Sequence, residues 1–385
     1  MADSSGEILQ GLEDSYDQIH KMAIGGMAEV YLGRQKNLDR PVAIKRIRPE
    51  YRANRDLQER FRREARVSAN LLHQNLAHVY DYRKVGEDAY IIMEYIDGFD
   101  LAEILERTGP LPIDLALMTA VRILHGLAHV HSHGTVHRDL KPDNIRISTR
   151  GEVKIMDFGI ALDPSESTLT MPGVLIGSPH YLSPEQVSGE KVDPRADLFA
   201  FGITLYEMLT GKKPFFETNS ESVYSRIKKG DFIPPENIRQ DLPPFLTSVI
   251  ESCLQVNPMR RPASAHVLSE TLTEYLVHNH SLSFELRTRQ FLLQSGLLPG
   301  NPALIEIHEK TASGQEFRFF GRITAPIDRL VAKIIRKPEY RWPVLLALLG
   351  LVALLAYYRM NNGFPSGDWH LNLPKVDKIP HRNAN

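Results

Sequence analysis

The chain has 385 residues, 46 Lys+Arg against 47 Asp+Glu, a formal net charge of -1 and 42% hydrophobic residues. That length allows two domains or one large domain with appendages, and the near-zero charge balance removes the global basic field of a nucleic-acid binder. The lone cysteine, Cys253, excludes an intramolecular disulfide and a cysteine-held zinc site. Residues 1–15 carry neither a basic start nor an apolar core, which predicts a cytosolic N-terminal tail without a cleavable signal peptide. Residues 16–100 alternate short apolar runs with turn residues and hold one helical stretch at 55–72, the pattern of a strand-rich region with a long helix. From Leu101 onward the period changes: apolar residues recur at three and four across residues 111–134, 197–209 and 244–255, predicting a helical region. Residues 276–338 are mixed in character, with basic residues gathering at the end. Residues 342–358 then carry no charge at all, and Arg341 and Arg359 close the run.

Four separated motifs carry chemistry. In MAIGGMAEVY, residues 22–31, small residues lie between two predicted strands, where backbone amides can close over phosphates; alone this reads more readily as an ordinary hairpin turn. VAIK, residues 42–45, sets Lys45 in an apolar strand pattern, where its ammonium needs anionic partners or a solvated edge. Glu64 in the predicted helix is one candidate partner. Read on its own among Arg55, Glu59, Arg60, Arg62, Arg63 and Arg66, it fits better on a solvated face. HRDLKPDN, residues 137–144, followed by DFG at 157–159, supplies what phosphoryl transfer demands. Asp139 suits the carboxylate that orients an attacking hydroxyl and accepts its proton, and Lys141 suits neutralisation of the phosphoryl group in transit. Asn144 and Asp157 supply the hard oxygen ligands that Mg²⁺ takes, usually only one or two from a protein.

In this order the motifs resemble the protein kinases, and among them the bacterial-type serine/threonine kinases, over residues 16–276. RFRREA, HQNL, MEYIDG, GSPHYLSPE and DPRADLFAFG fall in the same family order. The resemblance implies an α+β bilobal fold, a β-rich small lobe and a helical large lobe, using ATP and Mg²⁺. It implies a nucleotide-binding loop of Met22, Ala23, Ile24, Gly25, Gly26, Met27, Ala28, Glu29 and Val30. Lys45 would contact phosphates and pair with Glu64, Glu94 and Ile96 would offer connector backbone to the base, and Met93 would be the gatekeeper. Glu185 would pair with Arg261, and Asp197 would anchor the catalytic loop. The lysine two residues after Asp139 looks like Ser/Thr specificity.

Two positions depart from the family pattern. Ala23 and Ala28 stand where the loop's first and third glycines usually do, and alanine disfavours the conformations glycine permits. Arg146 stands where such kinases place an apolar residue under the adenine, and its guanidinium is expected either to stack on the base or to snorkel away. Between Gly159 and Gly177 lie Ser165, Ser167, Thr168 and Thr170; the expectation is autophosphorylation there, Thr168 and Thr170 favoured, with Arg138 receiving the phosphate.

Seventeen uncharged residues span about 25 Å as a helix, slightly under a bilayer core of about 30 Å, and Trp342, Tyr357 and Tyr358 sit at its ends as interfacial anchors do. The expected order is therefore a tail (1–15), a kinase domain (16–276), a juxtamembrane segment (277–341), a single-pass C-terminal transmembrane helix (342–358) and a short extracytoplasmic tail (359–385). Arg329, Lys333, Arg336, Lys337 and Arg341 before the span put the kinase domain on the cytoplasmic side of the cell membrane. Ala347, Gly350, Ala353 and Ala356 form a small-residue stripe compatible with a homodimer, though filler is the simpler reading. The expected partners are protein substrates with Ser/Thr acceptors and the membrane, with no nucleic acid. Two rivals remain: a membrane-tethered pseudokinase scaffold, suggested by Ala23 and Arg146, and a small-molecule kinase, which GSPHYLSPE speaks against.

Overall fold

The computed structural model describes Leu9 and residues 11–157, 179–218, 221–279 and 283–299. The phosphoacceptor candidates at 165–170, Phe158 and Gly159, and the apolar run with its flanks lie outside the described residues. One compact unit spans Met1–Lys310; the second, Thr311–Asn385, lies wholly outside them.

The period-two stretch folds as a five-stranded antiparallel sheet in the order β1-β2-β3-β5-β4. Its strands are β1 (Tyr16–Ile24), β2 (Ala28–Gln35), β3 (Arg40–Ile47), β4 (Val79–Val85) and β5 (Asp88–Glu94). Alternation sorts the side chains to two faces. Tyr16, Ile19, Tyr31, Val42, Ile44, Tyr90 and Ile92 fill one core, and Ala28, Ala43, Ile47, Ile91 and Met93 face the other. On that second face lies α1 (Arg55–Ala69), capped by Asn54 accepting from the Leu57 amide at 3.1 Å, and burying Phe61, Ala65 and Ser68 at helical spacing.

The large lobe begins at the connector, residues 94–100, which ends in β6 (Gly98–Asp100). The helices α2 (Leu101–Thr108) and α3 (Ile113–Ser132) follow, then the strands β7 (Ile145–Ser148) and β8 (Val153–Ile155), which with β6 form a three-stranded sheet in the order β6-β7-β8. Beyond them come α4 (Pro184–Ser188), α5 (Arg195–Thr210), α6 (Val223–Lys229), α7 (Pro244–Cys253), α8 (Ala265–Asn279) and α9 (Phe284–Gln294). α3 is long and apolar enough to cross a membrane by composition, but most of it is buried as the central helix of this lobe. α5 buries every residue except Arg195 and Glu207, and Gly202 lets it cross α7 closely: a Cβ there would stand 2.6 Å from the Cβ of Cys253.

α9 lies beyond the last helix expected from the family motifs and packs on α3. Phe284, Thr288 and Leu292 are buried, and the Arg287 guanidinium donates to both carboxylate oxygens of Asp114 at 2.6 and 3.2 Å. Gly151, at the β7–β8 turn with φ +92°, admits the α9 backbone, since a Cβ there would come within 2.8 Å of Glu285.

Candidate active site

The site is assembled at the junction of the lobes from β3, α1, the loop between α3 and β7, and the end of β8. Lys45 and Val30 are direct cross-strand neighbours on the face that looks toward α1. The Lys45 ammonium sits 2.7 Å from Glu64 Oε1 and 2.9 Å from Asp157 Oδ1. Burial disfavours the ammonium, but the charges of Asp157 and Glu64 overcome it, so the Lys45 pKa is raised and it carries its charge. Burial, together with the charges of Asp157 and Asp139, outweighs the opposing pull of Lys45 on Glu64, whose pKa is raised. The solvated-face reading of Glu64 is thereby corrected: its side chain is 13% exposed, turned inward from a helix on which Arg55, Arg62 and Arg66 are exposed.

The loop between β1 and β2 closes by the Gly25 amide donating to the Ala28 carbonyl at 2.8 Å. Arg48 tethers it from outside, reaching the carbonyls of Gly25 and Gly26 at 3.3 and 3.4 Å. Ala23 is an exposed strand residue paired with Val30, and neither Gly25 nor Gly26 needs a positive φ. Alanine at position 23 thus costs this loop no backbone strain. Glu29 faces away from Lys45: its carboxylate accepts from Tyr31 Oη at 2.7 Å and Lys21 Nζ at 3.0 Å, leaving only its backbone to the loop. A cavity of about 70 Å³ opens beneath, lined by Met27, Ala28, Lys45, Ile47, Phe61 and Glu64.

Asp139 is fixed by its neighbours in HRDLKPDN. Its Oδ2 accepts from Lys141 Nζ at 2.7 Å and Asn144 Nδ2 at 2.8 Å, and the same amide group also bonds its backbone carbonyl at 2.8 Å. Both of these bonds use Nδ2 of Asn144, so its side-chain oxygen takes no part in holding Asp139. The loop is strained at Arg138, φ 68°, and Asp157, just past β8, has φ 40°. Asp197, buried in the first turn of α5, holds that conformation: its carboxylate accepts from the amides of His137 and Arg138, both at 2.8 Å, and His131 Nε2 stands 2.8 Å away. Burial alone would raise the Asp197 pKa; the bond and charge of His131 and the His137 amide reverse this and lower it. His137 Nε2 meets the Met156 carbonyl at 3.0 Å, tying the loop to the residue before Asp157.

The segment around α4 joins the same loop. Ser183 and Gln186 form a reciprocal capping box at α4, and the Gln186 amide donates to the Arg138 carbonyl at 3.0 Å. Behind it Arg261 and Glu185 form the expected pair, bidentate at 2.6 and 2.8 Å and buried.

Not foreseen from the sequence are His131, Gln186 and Lys154. The last is a strand residue bound to the Glu94 carboxylate at 3.0 Å, and its only local signal is a charge set in the apolar alternation of β8. Arg146 is turned to the connector, where Nε donates to the Ile96 carbonyl at 2.7 Å and Nη2 to that of Gly98 at 2.5 Å.

Residues 16–273 match the protein kinase domain family. The chain belongs to that family. Its kinase fold is also that of the PknI kinase domain of Mycobacterium tuberculosis, a crystal structure matched at 26% identity and a TM-score of 0.55 over 71% of this chain and 99% of that one. Among curated proteins it is 38% identical to the serine/threonine-protein kinase PknB of Mycolicibacterium smegmatis, over 66% of this chain and 42% of that protein. It is 31% identical to the serine/threonine-protein kinase PrkC of Bacillus subtilis over 95% of this chain and 54% of that protein. With PknL of Mycobacterium tuberculosis, another serine/threonine-protein kinase, it shares 37% over 68% of this chain and 65% of that one. The chain thus spans less than two thirds of the length of each of these three curated relatives.

Proposed function

We propose that the protein is an ATP- and Mg²⁺-dependent serine/threonine protein kinase. The observation that carries the reading is Asp139, held by Lys141 and Asn144 within the same cleft as the Lys45, Glu64 and Asp157 cluster. Three carboxylates there face two ammonium groups, and the donors are hard oxygens, which suits a divalent cation carried in on phosphates. Asn144 and Asp157 would hold Mg²⁺, which when bound offsets phosphate charge and polarises the terminal phosphoryl group.

Asp139 orients the acceptor hydroxyl and takes its proton. Lys141, beside it, neutralises the phosphoryl group as it moves. Lys45, kept charged by Glu64, positions the remaining phosphates, while the β1–β2 loop covers them with backbone amides. The backbone of Glu94 and Ile96 receives the base. Protein Ser/Thr side chains are the acceptors, and Ser165, Ser167, Thr168 and Thr170 are candidate sites of autophosphorylation with Arg138 as the receiving cation. Supporting the Ser/Thr assignment are Lys141 and the names of the relatives. After incubation with ATP, Mg²⁺ and a basic acceptor protein, acid hydrolysis should release phosphoserine and phosphothreonine. Phosphotyrosine as the main product would overturn the assignment.

Residues 342–358 are proposed as a single membrane span, with the kinase domain on the cytoplasmic side and residues 359–385 outside. The uncharged run, its aromatic ends and its basic N-terminal flank support this. Release of the full chain from membranes by a carbonate wash would contradict it.

A further inference from the structure

The connector between the lobes is held by two cations of one hairpin. Arg146 on β7 and Lys154 on β8 are direct cross-strand partners, so they share a face of the three-stranded sheet. Like charges directly opposed destabilise a sheet unless acceptors offset them. The connector supplies those acceptors: Lys154 pairs with Glu94 at 3.0 Å, and Arg146 bridges the carbonyls of Ile96 and Gly98. The Glu94 carboxylate also accepts from the His78 amide at 3.2 Å, and the Thr149 amide donates to the Asp97 carbonyl at 2.8 Å. Gly98 completes the close fit, since a Cβ there would stand 2.1 Å from the Ile147 carbonyl oxygen.

We propose that Arg146 is a positioning residue for the nucleotide, clamping the connector so that the backbone of Ile96 is fixed before the base arrives. The inference deepens the kinase reading and rests on it for the place of the base. A planar guanidinium holding two carbonyls two residues apart removes torsional freedom that an apolar side chain at this position would leave in the connector. The ordering cost of the nucleotide's hydrogen-bonding partner is then met in folding rather than in binding. The side chain touches neither Asp139 nor Lys141 in the hydrogen bonds it makes, so its loss should act on binding and spare the chemical step.

The test uses the full-length protein with Arg146→Met, Arg146→Lys and Lys154→Met. Amide hydrogen exchange across residues 95–100 is read without nucleotide, ADP affinity is read with Mg²⁺, and kcat and KM for ATP are read separately. Arg146→Met should speed exchange and weaken ADP binding by about tenfold each, the scale of one charged hydrogen bond, with kcat within about twofold. Arg146→Lys should recover part of both, and Lys154→Met should loosen the connector in the same direction. Exchange unchanged in a folded Arg146→Met protein, or kcat falling with KM for ATP unchanged, overturns the proposal. If Arg146→Met does not fold, Arg146→Lys carries the same readouts, and unchanged exchange and affinity there overturn it equally. A wild-type chain that transfers no phosphate would sink the kinase reading, while the exchange measurement would still judge the clamp.

Discussion

At the scale of single residues, burial decides which charges matter. Among the described residues Arg261 and Glu185 are the most enclosed ion pair of the large lobe, with side-chain exposures of 0% and 4%, and Arg261 further donates to the carbonyls of Arg195, Gln255 and Val256. Removing one partner strands the other charge in a dry interior. Glu185→Ala should therefore cost about 3–5 kcal/mol, read as a lowered denaturation midpoint in urea. A loss below about 1 kcal/mol, the value of a surface pair, would show that water reaches Arg261. This pair was legible only through family resemblance, because 76 residues separate its members and no local period links them. The same holds for Lys45 and Glu64, where the helical pattern by itself assigned Glu64 to water. Arg146 shows the opposite failing. Its identity was visible as a departure, but its partners are backbone carbonyls, which no side-chain pattern marks.

At the scale of elements, a stack of histidine rings links the end of α3 to the segment between α1 and β4. His73 and His129 stack at 5.1 Å, and His129 and His133 lie 4.4 Å apart. Just beyond His73, Asn75 and Ala77 bond to the backbone of β8, the strand that leads to Asp157. Burial, followed by neighbouring cations and imidazoles, lowers the pKa of His73, His125 and His129; the groups facing them are His133, Arg122, Lys154 and His266. The unfolded chain, with ordinary histidine values near ~6.5, then binds protons before the folded one does. Their contribution to stability is present above that pH and is lost as pH falls toward the depressed folded values. Thermal melts from about pH 8 to pH 5 should show the midpoint falling on the acid side, and His129→Phe, which keeps a ring in the stack, should flatten that slope. An unchanged slope in the variant would assign the acid sensitivity elsewhere. Existence and type of the elements were readable from period two giving way to period 3.6. The stack was not, since its rings come from segments that only the fold brings together.

For the whole molecule, the catalytic unit extends past the family match, which ends at residue 273. α9 closes the back of the large lobe with Phe284, Leu292 and the Arg287–Asp114 pair, and Arg122 lies 5.3 Å from the Phe284 ring. A chain ending at residue 279, the end of α8, exposes the apolar surface beneath α9 and leaves Asp114 without that guanidinium. Compared with a chain ending at residue 299, it should be less stable by about 3 kcal/mol or more, seen as a lower midpoint in urea. Equal midpoints would make α9 an ornament of the fold. The sequence pattern placed residues 277–341 in a juxtamembrane segment because no motif marks α9, and its docking depends on Gly151 and Asp114 far earlier in the chain. The candidate site itself was the most legible part, since one contiguous run, residues 137–144, carries Asp139, Lys141 and Asn144, the residues proposed as base, transfer lysine and metal ligand.

The central claim is that Asp139, positioned by Lys141 and Asn144, makes this cleft a phosphotransferase. It is tested most directly by comparing phosphate transfer from ATP to a protein acceptor by the full-length chain and by Asp139→Asn, with ADP affinity measured on both. The expected result is transfer by the wild type, a loss of about 10²-fold or more in the variant, and nucleotide affinity retained within a few-fold. No incorporation by the wild type above the Asp139→Asn level, with ADP still bound, would contradict the account and leave a nucleotide-binding scaffold in its place.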